Sequence, residues 1–137
     1  PRTMKGGCIH HDLGILGAAD HAAAERRRIR LMKESGFDAI RAAHNPFGPA
    51  FLDACDELGM LVVEEAFDEW VMGRTSFGLH VTFEQCWEKD LEDMITRDYS
   101  HPCIVMWSTG NEVEERDGTA DGFAWAKRLA TRALSMD

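Results

Sequence analysis

The chain has 137 residues, of which 45% are hydrophobic and 28% charged; 15 Lys and Arg face 24 Asp and Glu, for a net charge of -9. That is length for one domain and enough apolar content for a packed core, which excludes a disordered chain. No apolar run approaches the ~20 residues of a membrane-spanning helix, and the acidic balance argues against nucleic acid or an anionic membrane as partner.

Cys8, Cys55, Cys86 and Cys103 have neither the spacing of a zinc knuckle nor that of a CxxC redox pair, and a disulfide scaffold is denser than this. Three of them lie in apolar or helical stretches and read as buried free thiols, which favours a reducing, cytoplasmic setting. The opening residues, 1–7, show no apolar signal segment.

The first strand is expected over 5–9, ending on His10-His11-Asp12. After a Gly/Ala-rich loop, Asp20 is placed to cap a helix over 20–35. Ala22, Ile29 and Met32 form its apolar side, Glu25, Arg26, Arg28 and Lys33 its polar face, and Gly36 its stop. The run Arg26-Arg27-Arg28 reads as a solvated face rather than a basic patch. A second strand over 37–43 is broken by His44-Asn45-Pro46. Pro49 opens a helix in which Phe51, Ala54, Cys55 and Leu58 share a side, and Gly59 stops it. The third strand, 60–65, turns acidic at Glu64-Glu65, and a longer loop carries Asp68, Glu69, Trp70, Gly73 and His80. A third helix over 83–99 aligns Trp87, Leu91, Met94 and Ile95, and His101-Pro102 ends it. The fourth strand, 103–108, leads into Thr109-Gly110-Asn111-Glu112. A last helix over 119–135 has Phe123, Ala126, Ala130 and Leu134 at helical spacing.

Four consecutive βα units follow from this order, with strands apolar enough to imply a parallel sheet buried on both faces. The fold class is α/β, with residues 1–137 forming a single (β/α)4 half-barrel. Every strand ends in polar residues, and in parallel α/β folds those carboxyl ends converge on the ligand. A complete (β/α)8 barrel takes about 250 residues, so four units leave two open edges and an uncovered inner face. Adjacent histidines on an extended segment point to opposite sides, so at most one of His10 and His11 faces the site. Of Glu64 and Glu65, one points inward, where an unpaired buried charge is costly. Glu112, directly after Ile104-Val105-Met106-Trp107, is the sharpest candidate for catalysis or substrate binding. His101-Pro102, at the amino end of the fourth strand, reads as structural.

The stretches Lys5-Gly6-Gly7 to His11-Asp12, Met32 to Arg41, His44-Asn45-Pro46, Cys55 to Gly59, Glu64-Glu65-Ala66, Arg97 to Pro102 and Trp107 to Glu112 resemble, in order and spacing, the catalytic domain of family 2 glycoside hydrolases. His10-His11-Asp12 and Phe67-Asp68-Glu69-Trp70 are most similar to the family's bacterial β-galactosidases. The resemblance implies a (β/α)8 barrel that cleaves terminal β-glycosides with retention through two glutamates. It makes Glu112 the general acid/base, Asn111 the partner of the sugar 2-hydroxyl, His11 and His44 sugar contacts, and Glu65 and Trp70 site-lining residues. The family's nucleophile belongs to the seventh strand, beyond four units, so this half carries the acid/base without it. Some members bind magnesium through an acid and a histidine after the third strand; Glu69 matches the acid, but Val71 stands at the histidine, so no metal or other cofactor is expected. The partners implied are a carbohydrate substrate and further copies of the chain, a homo-oligomer that completes the barrel. Two alternatives remain: a metal-dependent hydrolase barrel ligating through His11, His44 and Glu65, and a catalytically silent self-assembling half-barrel.

Overall fold

Four strands, each followed by a helix, form one parallel sheet in sequence order in the computed structural model, which describes residues 3–137. Pro1 and Arg2, the start of the opening stretch, lie outside the described residues. The elements are β1 (Gly6–Ile9), α1 (Ala22–Glu34), β2 (Ala39–Ala42), α2 (Pro49–Leu58), β3 (Leu61–Glu65), α3 (Phe83–Asp98), β4 (Ile104–Ser108) and α4 (Gly122–Leu134). No helix among the described residues is long and apolar enough to cross a membrane. The expected order of βα units is borne out, with boundaries moved by one to three residues.

The helix side of the sheet holds the core. Ile40, Ala42 and Val62 from the strands meet Ile29 of α1 and Phe51, Leu52 and Cys55 of α2, all nearly or fully buried. α2 begins as its sequence dictates, with Pro49 in the first turn, and ends at Gly59, whose φ of 65° is a left-handed conformation that glycine adopts without a Cβ clash. A second cluster lies under the later loops: Phe67, Trp70, Phe83, Leu91 and Ile95 pack with Trp125 and Leu129 of α4. Trp125 meets Phe83 and Trp87 edge-on at 5.3 and 5.7 Å.

β4 carries a register shift against β3: Val62 pairs with Ile104, but Val63 pairs with Met106. Val105 is the extra residue. A bulge of this kind resets side-chain alternation, so Ile104 and Trp107, three apart, both join the helix-side clusters. The uncovered inner face expected of four units shows here: Val105 and Met106 are 48% and 53% exposed, because nothing among the described residues covers that face.

Three further expectations are corrected. Asp20 does not cap α1; the cap residue is His21, with no side-chain cap hydrogen bond. Arg28 is not on a solvated face. Glu25, 4% exposed, lies beside Ile29 on the inner side of α1 and accepts from Arg28 Nε at 3.1 Å and Nη2 at 2.5 Å, while Arg28 Nη1 donates to the His10 carbonyl at 2.9 Å. Arg26, by contrast, is solvated and paired with Glu57. In α4 the buried stripe is Gly122, Trp125, Leu129 and Ala133, whereas Phe123 and Leu134 are 72% and 79% exposed. Two apolar stripes share that helix, and the large indole wins the contact with α3. Of the four thiols, Cys55 and Cys103 are buried, Cys86 is half-buried and Cys8 is exposed, all free. Burial pushes the Cys55 and Cys103 thiols up, out of the reactive range.

Glu64 and Glu65 are both fully buried, on opposite faces of β3. Glu64 turns to the helix side, where Oε1 accepts the Phe47 amide at 2.9 Å and Oε2 has no hydrogen-bond partner. Burial, reinforced by Asp98, raises its carboxyl from 4.5 to about 8 despite the Phe47 amide and Arg97. Between those pH values the folded chain holds a proton that the unfolded chain has released, so Glu64 contributes most below pH 4.5 and its contribution falls as pH rises through 8. The effect is on the order of a few kcal/mol. Denaturation midpoints measured from pH 5 to 9 should fall with pH in the native sequence, and Glu64→Gln should flatten that slope. Equal slopes would refute the assignment.

Candidate active site

On the other face of β3, Glu65 organises the inner side of the sheet. Arg41, the one charged residue in β2, reaches across from the neighbouring strand. Its Nη2 donates to both Glu65 oxygens at 2.8 Å and its Nε to Oε2 at 3.1 Å. Ser108, at the end of β4, donates from Oγ to Oε2 at 2.7 Å. His44 Nδ1 stands 3.0 Å from Oε1. A carboxylate only accepts, so the fitting tautomer carries its hydrogen on Nδ1 and turns Nε2 outward. Burial works against the Arg41 charge more than any one partner supports it, but the hydrogen bonds and charges of Glu65 and Cys8 together outweigh it and leave the guanidinium above its ordinary value. Arg41 Nη2 also donates to Asn111 Oδ1 at 2.7 Å. Three strand ends and the loop after β4 are thereby tied through one carboxylate.

Asn111 passes the connection on: its Nδ2 donates to Asp68 Oδ1 at 3.2 Å, and Arg74 Nη2 donates to the same oxygen at 2.5 Å and to the Asp68 carbonyl at 2.7 Å. Arg74 Nη1 lies 4.0 Å from Glu112 Oε2. His44, Asn45, Asp68, Glu69, Arg74, Asn111 and Glu112 line one open cleft of about 530 Å³ at the carboxyl ends of the strands. The Glu112 side chain is 81% exposed there, and its φ of 41° is left-handed, which costs a non-glycine residue roughly 1–2 kcal/mol. Its neighbours hold that conformation: the Asn111 amide donates to the Phe67 carbonyl at 3.0 Å, and Trp70 Nε1 donates to the Thr109 carbonyl at 2.8 Å. Gly110 has no room for a side chain, since a Cβ there would stand 2.7 Å from Trp70 Nε1 and 2.9 Å from Val113.

The structure brings together Glu112, Asn111, His44 and Glu65 from the residues singled out in the sequence. It does not bring His11 to them. His11 stacks on the buried Phe47 at 4.0 Å, with Nε2 3.2 Å from the Pro46 carbonyl; His10 is the one packed edge-on against His44, at 4.8 Å. Trp70 is 5% exposed and sits in the core behind Gly110. Arg41 and Arg74 were not singled out, and Asp68 was noted in its loop without a place in the site. For Arg41 a signal existed, a lone charge in an otherwise apolar strand, but Asp68 and Arg74 come from a loop without periodicity. His101 plays the structural part expected of it: its Nδ1 meets Asp56 Oδ2 at 2.6 Å, and Asp56 Oδ1 accepts the Cys103 amide at 2.8 Å.

Ligand sets for a metal can be read off the same geometry. The trio His11, His44 and Glu65 is split, with His11 on Phe47 and the Glu65 carboxylate engaged by Arg41. The acid at Glu69 is 4% exposed and, among the described residues, is met by N–H donors alone: the Arg74 amide at 3.0 Å, the His80 amide at 3.1 Å and His80 Nδ1 at 3.0 Å. Burial alone would raise this carboxyl, but those donors hold it below the ordinary range. Val71 offers no ligand atom. Neither set fits a metal ion as it stands. Asp56, His101 and Cys103 form a third cluster, their ligand atoms within 4.8 Å of one another, but the hydrogen bonds above already use the Asp56 oxygens and His101 Nδ1.

Residues 3–135 match the model of the glycosyl hydrolases family 2 TIM barrel domain. The chain belongs to glycoside hydrolase family 2. Within that family it is 46% identical over 120 residues to a β-galactosidase of Bacteroides ovatus, covering 86% of this chain and 14% of that protein. A putative β-glucuronidase of Formosa agariphila is 37% identical over 126 residues, covering 92% and 12%. Among solved structures, a family 2 member from Bacteroides cellulosilyticus superposes with a TM-score of 0.94 at 45% identity, covering 98% of this chain and 17% of that one. The chain thus spans less than a fifth of each of these family 2 relatives.

Glu65 is buried with its charge, so its cation partner matters more than a surface pair would. Arg41→Met should destabilise the fold by about 3–5 kcal/mol, because it strands a buried carboxylate. Pairing it with Glu65→Gln should recover much of that loss. A denaturation double-mutant cycle checks this, and strictly additive losses would contradict the coupling.

Proposed function

We propose that this chain supplies the acid/base half of a retaining β-glycosidase site, that of a β-galactosidase, with Glu112 as general acid/base. The observation that carries the reading is the placement of Glu112: a carboxyl in the loop that leaves the end of a parallel strand, open to the cleft, beside Asn111 and His44. In this mechanism Glu112 gives its proton to the glycosidic oxygen as the C1–O bond breaks, while a second carboxylate roughly 5 Å away bonds to C1. Water then attacks C1, Glu112 takes its proton, and the carboxylate leaves. The nucleophile comes from a later unit of the barrel. Asn111, oriented by Arg41 and Asp68, reaches the sugar 2-hydroxyl, and His44 Nε2 meets a further hydroxyl. Glu65 acts by orienting Arg41 and His44, and His11 and Trp70 by holding the segments that carry His44 and Glu112. The substrate is a neutral β-galactoside; the β-galactosidase among the relatives supports that choice, and the cleft's acidic residues, Asp68, Glu69 and Glu112, disfavour an anionic sugar.

In the full-length gene product, Glu112→Gln should slow hydrolysis of alkyl and sugar leaving groups by roughly 10²–10⁴-fold. Activated phenols need less protonation and should lose less at the glycosylation step. Steady-state kinetics over a leaving-group series measures this, and equal loss throughout would defeat the acid/base reading.

The 137-residue chain taken alone should show no turnover and should associate. Its inner face carries Val105 and Met106 in the open, and two half-barrels related by a two-fold axis would set β1 of each beside β4 of the other. Sedimentation at micromolar concentration should find a dimer or higher even species. A compact, stable monomer would overturn the assembly, and robust β-galactosidase activity from it would overturn the division of the site.

A further inference from the structure

We propose that Arg74 serves in this chain as the fixed cation of the site, and that Glu69, which matches the acid through which some family members bind magnesium, holds no metal here, so that the acid/base machinery works without one. The inference rests on Glu112 being the acid/base, and three observations carry it. The acid that matches the family's metal ligand, Glu69, is buried and enclosed by the amides of Arg74 and His80 and the His80 ring. A hard cation such as magnesium demands oxygen ligands and near-octahedral space, whereas this carboxylate faces three N–H groups. The Val71 side chain has no donor atom where the histidine would be. The positive charge comes instead from Arg74, whose guanidinium bonds Asp68 through Nη2 and approaches Glu112 through Nη1 at 4.0 Å.

One short loop therefore does two jobs. The Arg74 backbone amide donates to the Glu69 carboxylate, and its side chain spans from Asp68, which also holds Asn111, to the acid/base. A planar guanidinium with several donors suits this bridging, which a single ammonium cannot reproduce in full. The Arg74 side chain is 29% exposed and that of Glu112 81%, so solvent screening keeps the contribution to folding small. Its value lies in orienting Glu112 and balancing the cleft's negative charge. Arg74 is a positioning residue, acting through Glu112 and Asp68.

The test uses the full-length gene product after chelation. Calorimetric titration with millimolar magnesium should show no binding that depends on Glu69 or Glu112, and magnesium should leave hydrolysis rates unchanged. Arg74→Ala should lower kcat for poor leaving groups by roughly tenfold to a hundredfold, the worth of one charge-assisted contact, with a smaller change in KM. Arg74→Lys should recover part of the loss, and free guanidinium, but not magnesium, should partly rescue Arg74→Ala. Magnesium binding abolished by Glu69→Gln would overturn the proposal, as would Arg74→Ala with unchanged kcat. Should Arg74→Ala fail to fold, the calorimetry on the native sequence and the Arg74→Lys kinetics decide alone. Failure of the acid/base reading shows separately, as a Glu112→Gln loss indifferent to leaving group, whereas the metal titration does not depend on catalysis.

Discussion

A carboxylate without access to water must find its partners inside the protein, and Glu65 finds all of its own on the inner face of the sheet. Arg41 from β2, Ser108 from β4 and His44 from the turn after β2 converge on it. The strands that bring them are parallel and adjacent, so the contact pins their register as well as their side chains. Because Arg41 also reaches Asn111, the same charge that closes the sheet orients the residue next to Glu112. Fold and site share one electrostatic joint.

The neighbouring residue answers the opposite problem. Glu64 faces the helix layer, where Phe47 offers one amide and Arg97 is occupied with Asp98 and the Phe47 carbonyl. With too few donors, burial raises the Glu64 carboxyl to about 8, and the group holds its proton rather than its charge at neutral pH. The neutral group is still useful. Phe47 is held by Glu64 at its amide and Arg97 at its carbonyl, and its ring stacks on His11 and meets Phe51 at a tilt. The turn bearing His44, whose peptide bond to Ala43 is cis, is thus anchored from β3, α3 and the end of β1.

Element order and type were legible because proline, glycine and apolar runs punctuate this chain plainly: Pro49 and Gly59 bracket α2, and His44-Asn45-Pro46 closes β2. The acid ending the fourth strand was legible for the same reason. What the sequence concealed is parity. His10 and His11 differ by one position, and extended geometry says only that they diverge; the buried ring of Phe47 decides that His11 turns away. The two apolar stripes of α4 are equally periodic, and Trp125 meeting Phe83 and Trp87 chooses between them. In β4 the bulge at Val105 shifts the alternation, which no pattern in Ile104-Val105-Met106-Trp107 announces. Asp68 and Arg74 lie in a loop whose path depends on Glu69 gathering two amides, a contact between residues five and eleven apart without a regular period.

The strain at Glu112 completes the physical picture. A glutamate with φ at 41° persists only where its surroundings over-determine it, and the bonds that do so come from the loop after β3, through the Phe67 carbonyl to Asn111 and through Trp70 to Thr109. That loop also carries Asp68, Glu69 and Arg74. The backbone that aims Glu112 and the charges that surround it are therefore set by one segment, itself held by the buried Glu69. Substitutions along that segment therefore act on Glu112 by two routes, Trp70 through the backbone at Thr109 and Arg74 through its charge.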